Sequence, residues 1–266
     1  MARPLRSNRI DGWHHVFHRG TERRAVFADD RDREHFRELL GEMSERFRVA
    51  IHAYALMANH WHGVVRTPEA NLSAAMRWLH PSHAAWFDAR HQRVGALWQG
   101  RFGSVPVEDG SWAYAVSLYV HLNPVCTLEF GLNKGGKRLE SLGAVAVSRE
   151  EAGRRLKALR DYRWSSYRMH GGCEAGPKRL QTEVLLSRAH REAERARAAY
   201  RRAVRMRLVH GVDPLKAERL RDAIAIGAES FGREVGRLAG GGRETSGKRE
   251  LRRRIGLDDV LVAVER

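Results

Sequence analysis

From Trp13 to Pro124, apolar and polar positions switch repeatedly between a two-residue and a three-to-four-residue period. Trp13 to Arg19 alternates and is rich in aromatic and β-branched residues, which predicts a strand ending at Gly20. Asp29 and Asp30 predict a helix cap, and Phe36, Leu39, Leu40, Met43 and Phe47 follow as a one-sided apolar stripe. Val49 to Met57 returns to strand character. A break at Ala58-Asn59 and a second strand from His60 to Arg66 predict a hairpin, with Thr67, Pro68 and Asn71 as punctuation. A helix is expected from Leu72 to about Ala89, then an extended segment from Leu97 to Val107. A last helix, Trp112 to about Leu122, is capped at Asp109 to Ser111. It stops at Asn123-Pro124, because proline forces its predecessor out of the helical region. This order of elements closes into a compact α+β domain over residues 10 to 130: an antiparallel sheet with helices packed on one face.

Beyond it the texture changes. Gly131 to Gly143 reads as a loop, Arg149 to Leu159 as a helix, Tyr162 to Tyr167 as an aromatic turn, and Gly171 to Pro177 as a linker. Glu183 to Val209 reads as one long Arg/Ala/Glu helix, and a further helix is expected from Leu215 to about Leu238. Gly240-Gly241-Gly242 then precedes a basic tail, Lys248 to Arg254. The chain after the first domain thus divides into an extension, 131–177, and a mostly helical basic C-terminal region, 178–266.

Composition narrows the class of protein. Of the 266 residues, 48 are Lys or Arg against 32 Asp or Glu, a net charge of +16 that calls for a polyanionic partner. A hydrophobic fraction of 42% supports a real core. No apolar run is long enough for a membrane span, and Met1 to Ile10 lacks the apolar stretch of a secretory signal, so a cytoplasmic, nucleoid-associated protein is expected. The two cysteines, Cys126 and Cys173, are read as plain thiols.

Two local patterns carry chemistry. In His60-Trp61-His62 the two histidines lie two apart on a strand, so both imidazoles project from one face while Trp61 points to the other. Two parallel imidazoles can begin a divalent metal site, although surface or core histidines are the commoner outcome of this pattern. In Leu118-Tyr119-Val120-His121-Leu122-Asn123-Pro124, Tyr119 and Asn123 share one helix face. An ordinary buried tyrosine is the plainer alternative. Together the two patterns suggest a phenol attacking a phosphodiester. A phenol is a poor nucleophile near pH 7 because its pKa is about 10, and a divalent cation at the phosphate lowers that barrier. Asn123 could complete the protein ligands through its amide oxygen, a donor set that suits Mn²⁺ at least as well as Mg²⁺.

Several spaced segments resemble one family. They are His15-Val16 with Arg19-Gly20, Ala53-Tyr54-Ala55-Leu56-Met57-Ala58-Asn59-His60-Trp61-His62, Gln99-Gly100-Arg101-Phe102, Tyr119 to Val125, and Trp164-Ser165-Ser166-Tyr167. In these the chain resembles the REP-associated tyrosine transposases, relatives of the single-tyrosine transposases of the HUH (His-hydrophobe-His) superfamily. The resemblance implies a ferredoxin-like catalytic domain over residues 1–130, with Tyr119 as nucleophile and His60, His62 and Asn123 as metal ligands. It also implies metal-dependent cleavage and rejoining of single-stranded, hairpin-forming DNA with palindromic repeats, by a monomer or homodimer. The sequence departs from the family at Cys126, where a basic residue is usual, and the chain after about residue 175 falls outside the resemblance.

Arg19 and Arg101 are candidates for contacting DNA. Phe102, with Trp13, Trp78 and Trp98, could stack bases, against core packing as the commoner role of such residues. Arg195, Arg197, Arg201, Arg202, Arg205 and Arg207 on the C-terminal helix could form a second DNA contact or a solvated face. Three other functions use the same residues: a hairpin-binding protein without catalysis, a replication-initiator or relaxase-type nickase, and more distantly a metal hydrolase.

Overall fold

The structure, a computed structural model, describes residues 9–127, 129–132, 134–141, 144–177, 179–210 and 225–239. The basic tail and the start of the helix expected from Leu215 lie outside the described residues.

Four strands form the sheet: β1 (Ile10–Arg19), β2 (Ala50–Met57), β3 (His60–Glu69) and β4 (Gly103–Val107). Their order is β2-β3-β1-β4, and every neighbouring pair is antiparallel. With α1 (Asp30–Phe47) between β1 and β2, and α2 (Leu72–His91) between β3 and β4, this is the ferredoxin-like arrangement. β2 and β3 join through Ala58-Asn59, with Met57 opposite His60. The extended segment expected from Leu97 enters the sheet first as a single bridge, Trp98 to Gly20, and pairs continuously only from Gly103.

Local chemistry explains the boundaries. Asp29 caps α1 by accepting the Asp32 backbone N–H at 3.1 Å, and the Asp32 carboxylate accepts the Asp29 N–H at 3.3 Å. This reciprocal box satisfies donors that a helix start leaves open. The same Asp32 carboxylate is buried and takes the Arg90 guanidinium at 2.5 Å and His91 at 3.0 Å, so the start of α1 is tied to the end of α2.

Strand alternation divides the core. Val16, Leu56, Trp61 and Val65 pack with Phe36, Leu40, Met76 and Leu79 beneath α1 and α2, as expected for helices on one face. Trp13, Ala53, Ala55, Val64 and Val105 face the other way. Against their mostly small side chains lies α3 (Ser111–Leu122), through Ala113, Val116, Tyr119 and Val120. The sheet is therefore covered on both faces, and Tyr119 comes from the side opposite α1 and α2.

The outer side of α3 is not exposed. Leu118 and Leu122 pack with Leu159 of α5 (Arg149–Asp161), Tyr167 of α6 (Tyr167–His170) and Tyr200, Val204 and Leu208 of α8 (Ala193–Val209). The short helices α4 (Lys134–Ser141) and α7 (Thr182–Leu186) and the terminal α9 (Glu229–Ala239) complete the described elements. Two expectations change here. Residues 134–141, expected to be loop, are helical. The helix expected to run from Glu183 to Val209 is interrupted between Leu186 and Ala193. There the His190 ring accepts the Glu192 backbone N–H at 3.0 Å, a local bond that competes with helix continuation.

Downstream chain also closes the sheet edges. Along β2, the Leu56 N–H donates to the Trp164 carbonyl at 2.9 Å, the Ser166 N–H to Tyr54 at 2.9 Å, and the Gln181 N–H to Ile51 at 2.9 Å. Beyond β4, Ile226 exchanges bonds with Pro106 and Glu108 at 2.8 and 2.7 Å. Trp164-Ser165-Ser166-Tyr167 is thus a short edge segment that turns into α6. Among the described residues, no helix is long and apolar enough to cross a membrane.

Candidate active site

The register of β1 against β3 assembles the site. Arg19 pairs with His60, Phe17 with His62, and His15 with Val64. Cross-strand partners share a face, so Arg19, Phe17 and His15 stand on the same side as the two histidines, the side covered by α3. Trp61 points the other way, as alternation predicts. Its ring is fully buried and its indole N–H donates to His80 Nε2 at 3.1 Å.

Tyr119 reaches this face from α3. Its ring sits edge-on to His62, with centroids 5.7 Å apart, and edge-on to His15 at 5.5 Å. The His60 and His62 rings are 5.2 Å apart and nearly perpendicular. The two halves of the sequence argument, a pair of histidines and a phenol 57 positions further on, are thereby brought together. Tyr119 is only 7% exposed and His62 only 3%, while His60 is half-buried at the rim.

Polar contacts around the histidines are short. His62 Nδ1 lies 2.9 Å from His15 Nε2, and His60 Nδ1 lies 2.6 Å from the Asn59 side-chain oxygen. The Asn59 amide nitrogen donates to the Arg23 carbonyl at 3.1 Å, which fixes the orientation of that amide. Gly20 holds the same corner together. Its N–H donates to the Asn59 carbonyl at 2.9 Å, and a Cβ there would lie 2.2 Å from the Arg24 carbonyl. His15 and Asn59 lie in the motif segments, but the sequence pattern assigns them no role of their own. What reveals them is the register and the hairpin turn, which one strand's sequence does not encode.

Asn123 ends α3. Its amide nitrogen donates to the Tyr119 carbonyl at 2.9 Å and to the Val120 carbonyl at 3.3 Å. The amide therefore closes the last turn of the tyrosine helix, and its oxygen is the atom left for a cation. Among the described residues, no three His, Cys, Asp or Glu side chains are grouped to hold a metal ion.

The candidate DNA contacts fall into two groups. Arg19 is half-buried at the end of β1 beside His60, and Arg101 is exposed in the bend that follows Gly100, whose φ is 62°. Phe102, by contrast, lies in the core beneath α1 and α2, with its ring 5.7 Å from that of His80. Trp13 stacks on His52 at 4.2 Å, and Trp98 stacks on His18 at 4.7 Å. These aromatics serve packing. The sequence gives no sign of this for Phe102, because an aromatic residue beside an arginine reads equally as a stacking platform. Cys126 and Cys173 are free thiols.

A His-hydrophobe-His strand facing a single helical tyrosine on an antiparallel sheet is the arrangement that the motif resemblance implies. Residues 10–123, which contain all four strands and α1 to α3, match the model of the IS200-like transposase family. Among solved structures, the chain is similar to a REP-associated tyrosine transposase bound to a REP hairpin. That match has 14% identity and a TM-score of 0.45, and covers 69% of this chain and 93% of the other. No curated protein matches the chain significantly.

Proposed function

We propose that the chain is a metal-dependent transposase that cleaves and rejoins single-stranded, hairpin-forming DNA, with Tyr119 as its nucleophile. The observation that carries this reading is the convergence of the Tyr119 ring on His62 and His15, with His60 adjacent. The hairpin substrate follows from the motif resemblance and from the excess of positive charge.

In this reading His60, His62 and Asn123 would hold a divalent cation, Mg²⁺ or Mn²⁺, whose chemistry when bound is neutralisation and polarisation of the phosphate. The phenolic oxygen of Tyr119 loses its proton and bonds to phosphorus, the bond from phosphorus to the 3′ oxygen breaks, and that oxygen leaves as a hydroxyl. The product is a 5′-phosphotyrosine. It keeps the energy of the broken diester, so the strand can be rejoined by the reverse attack without ATP. Arg19, beside His60 in the register, is suited to steer the phosphate.

One observation favours the alternative of a hairpin-binding protein without catalysis. Tyr119 is 7% exposed and belongs to an apolar cluster, the surroundings of an ordinary structural tyrosine. The test is incubation of the full chain with single-stranded hairpins and Mn²⁺, scored for a covalent protein–DNA adduct. Adduct formed by the natural chain and lost in Tyr119→Phe supports the transposase. Tight binding without any adduct supports the alternative. An adduct that persists in Tyr119→Phe removes Tyr119 from the role.

A further inference from the structure

We infer that His15 and Asn59 are positioning residues that determine which ring nitrogen His62 and His60 present to a cation. The inference rests on the reading of His60 and His62 as cation ligands. It concerns a different pair of residues, reached through the hydrogen bonds that hold each imidazole.

Each candidate ligand is held through the same atom. His60 Nδ1 is 2.6 Å from Asn59 Oδ1, and His62 Nδ1 is 2.9 Å from His15 Nε2. An amide oxygen only accepts, so the proton of the His60–Asn59 bond belongs to the imidazole. The Asn59 amide cannot be turned over without loss, because its nitrogen already donates to the Arg23 carbonyl at 3.1 Å. In the neutral ring His60 is therefore protonated at Nδ1, and Nε2 carries the lone pair. A metal binds an imidazole through the unprotonated nitrogen, and a partner on the other nitrogen fixes both tautomer and ring angle.

The same logic applies to His62, with an unusual partner. A neutral imidazole can donate or accept, so His15 can stabilise either tautomer. For His62 to match His60, its Nδ1–H donates to His15 Nε2, and His15 carries its own proton on Nδ1. The His15 and His62 rings are nearly parallel, with an interplanar angle of 10° and centroids 5.1 Å apart, while the His60 ring stands at 84° to His62. His15 is fully buried, so it cannot swing out to solvent and release its neighbour. The two outer residues reach the site from different places: His15 from β1, diagonal to His62 across the ladder, and Asn59 from the hairpin turn.

Two measurements test this on the full chain. Long-range proton–nitrogen NMR of the metal-free natural protein reads the tautomers directly, and both His60 and His62 are expected as the Nδ1–H form. An Nε2–H form at either residue overturns the inference. Titration with Mn²⁺ alone, followed by calorimetry and by the electron paramagnetic resonance of the bound ion, reads the consequence. His15→Phe and Asn59→Ala are expected to weaken Mn²⁺ binding by about 10–100-fold. His15→Gln, whose amide oxygen can accept the same proton, is expected to recover part of the loss and the natural resonance spectrum. Equal Mn²⁺ affinity in folded His15→Phe and the natural protein overturns the role of His15. If His15→Phe does not fold, His15→Gln carries the test, and an unchanged spectrum together with an Nε2–H tautomer of His62 in that variant overturns it. Absence of Mn²⁺ binding to the natural protein removes the ligand reading itself, and the inference falls with it.

Discussion

The ring of His121 and the hydroxyl of Tyr200 are joined by a 2.6 Å hydrogen bond in the fully buried seam between α3 and α8. The other ring nitrogen of His121 bonds Ser166 Oγ at 2.7 Å, and Ser117 Oγ lies 2.9 Å from the same Tyr200 hydroxyl. The Ser166 hydroxyl also receives the Tyr54 backbone N–H at 2.8 Å. One chain of polar contacts therefore links the tyrosine helix, the Trp-Ser-Ser-Tyr element, strand β2 and the arginine-rich helix. Tyr200→Phe removes the shared hydroxyl and leaves buried groups on His121 and Ser117 short of a partner. A loss of about 1–3 kcal/mol of stability is expected, measured by denaturant unfolding. A cost indistinguishable from zero would mean that the seam is held by its apolar contacts alone.

Buried histidines make stability depend on pH. Burial holds His52, His83 and His170 down to about 4, from an ordinary value of 6.5. His121 is held well below its usual range, first by burial and then by nearby His170. In the folded protein these rings are neutral, whereas in the unfolded chain they take up protons as pH falls past 6.5. The unfolded state therefore binds more protons between about pH 6.5 and 4, and stability falls with decreasing pH across that window. The melting temperature is expected to be level, as far as these groups decide it, above pH 7 and to decline steadily below 6.5. A flat profile down to pH 4.5 would contradict it.

Gly103 faces Phe17 across β1 and β4, and a Cβ at that position would lie 2.3 Å from the Phe17 ring. The Phe17 ring in turn lies 5.7 Å from His62. Gly103→Ala is expected to displace Phe17 toward the site and cost about 1–3 kcal/mol. It should also depress adduct formation more than hairpin binding, because the disturbance falls on the face that carries His62 and Tyr119. Unaltered melting and adduct yield would show that the ring has room to move.

Arg202 and Arg205 are exposed on α8, and among the described residues neither has an ion pair, whereas Arg195 and Arg197 are engaged with Glu192 and Glu194. If this helix touches a duplex stem, replacing both by alanine should lower the slope of log affinity against log salt by about 2. An unchanged slope assigns them to the solvated face.

The sequence made the strand and helix order of the first 125 residues legible because each element there has one buried face and a strict period. His60, His62 and Tyr119 were legible for the same reason: alternation and helical spacing give facing directly. His15 was not, because its role depends on a diagonal neighbour set by the register of another strand. The helix at 134–141 was masked by Gly135 and Gly136, which read as loop residues. The interruption before α8 was hidden because His190 acts through a side-chain bond to the backbone and leaves no mark in the apolar pattern. Phe102 shows a different limit, since composition cannot tell which side of a sheet edge an aromatic ring will enter.

The downstream chain sits on both open borders of the sheet, Trp164 to Ser166 and Gln181 against β2 and Ile226 beyond β4. The family match ends at residue 123, before any of these segments. A fragment cut where the match ends would present two rows of bare amide and carbonyl groups, the template on which sheets recruit further strands. It would be a self-adhesive molecule, even with His60, His62 and Tyr119 in place. These downstream segments thus occupy the borders on which the first half would otherwise recruit strands.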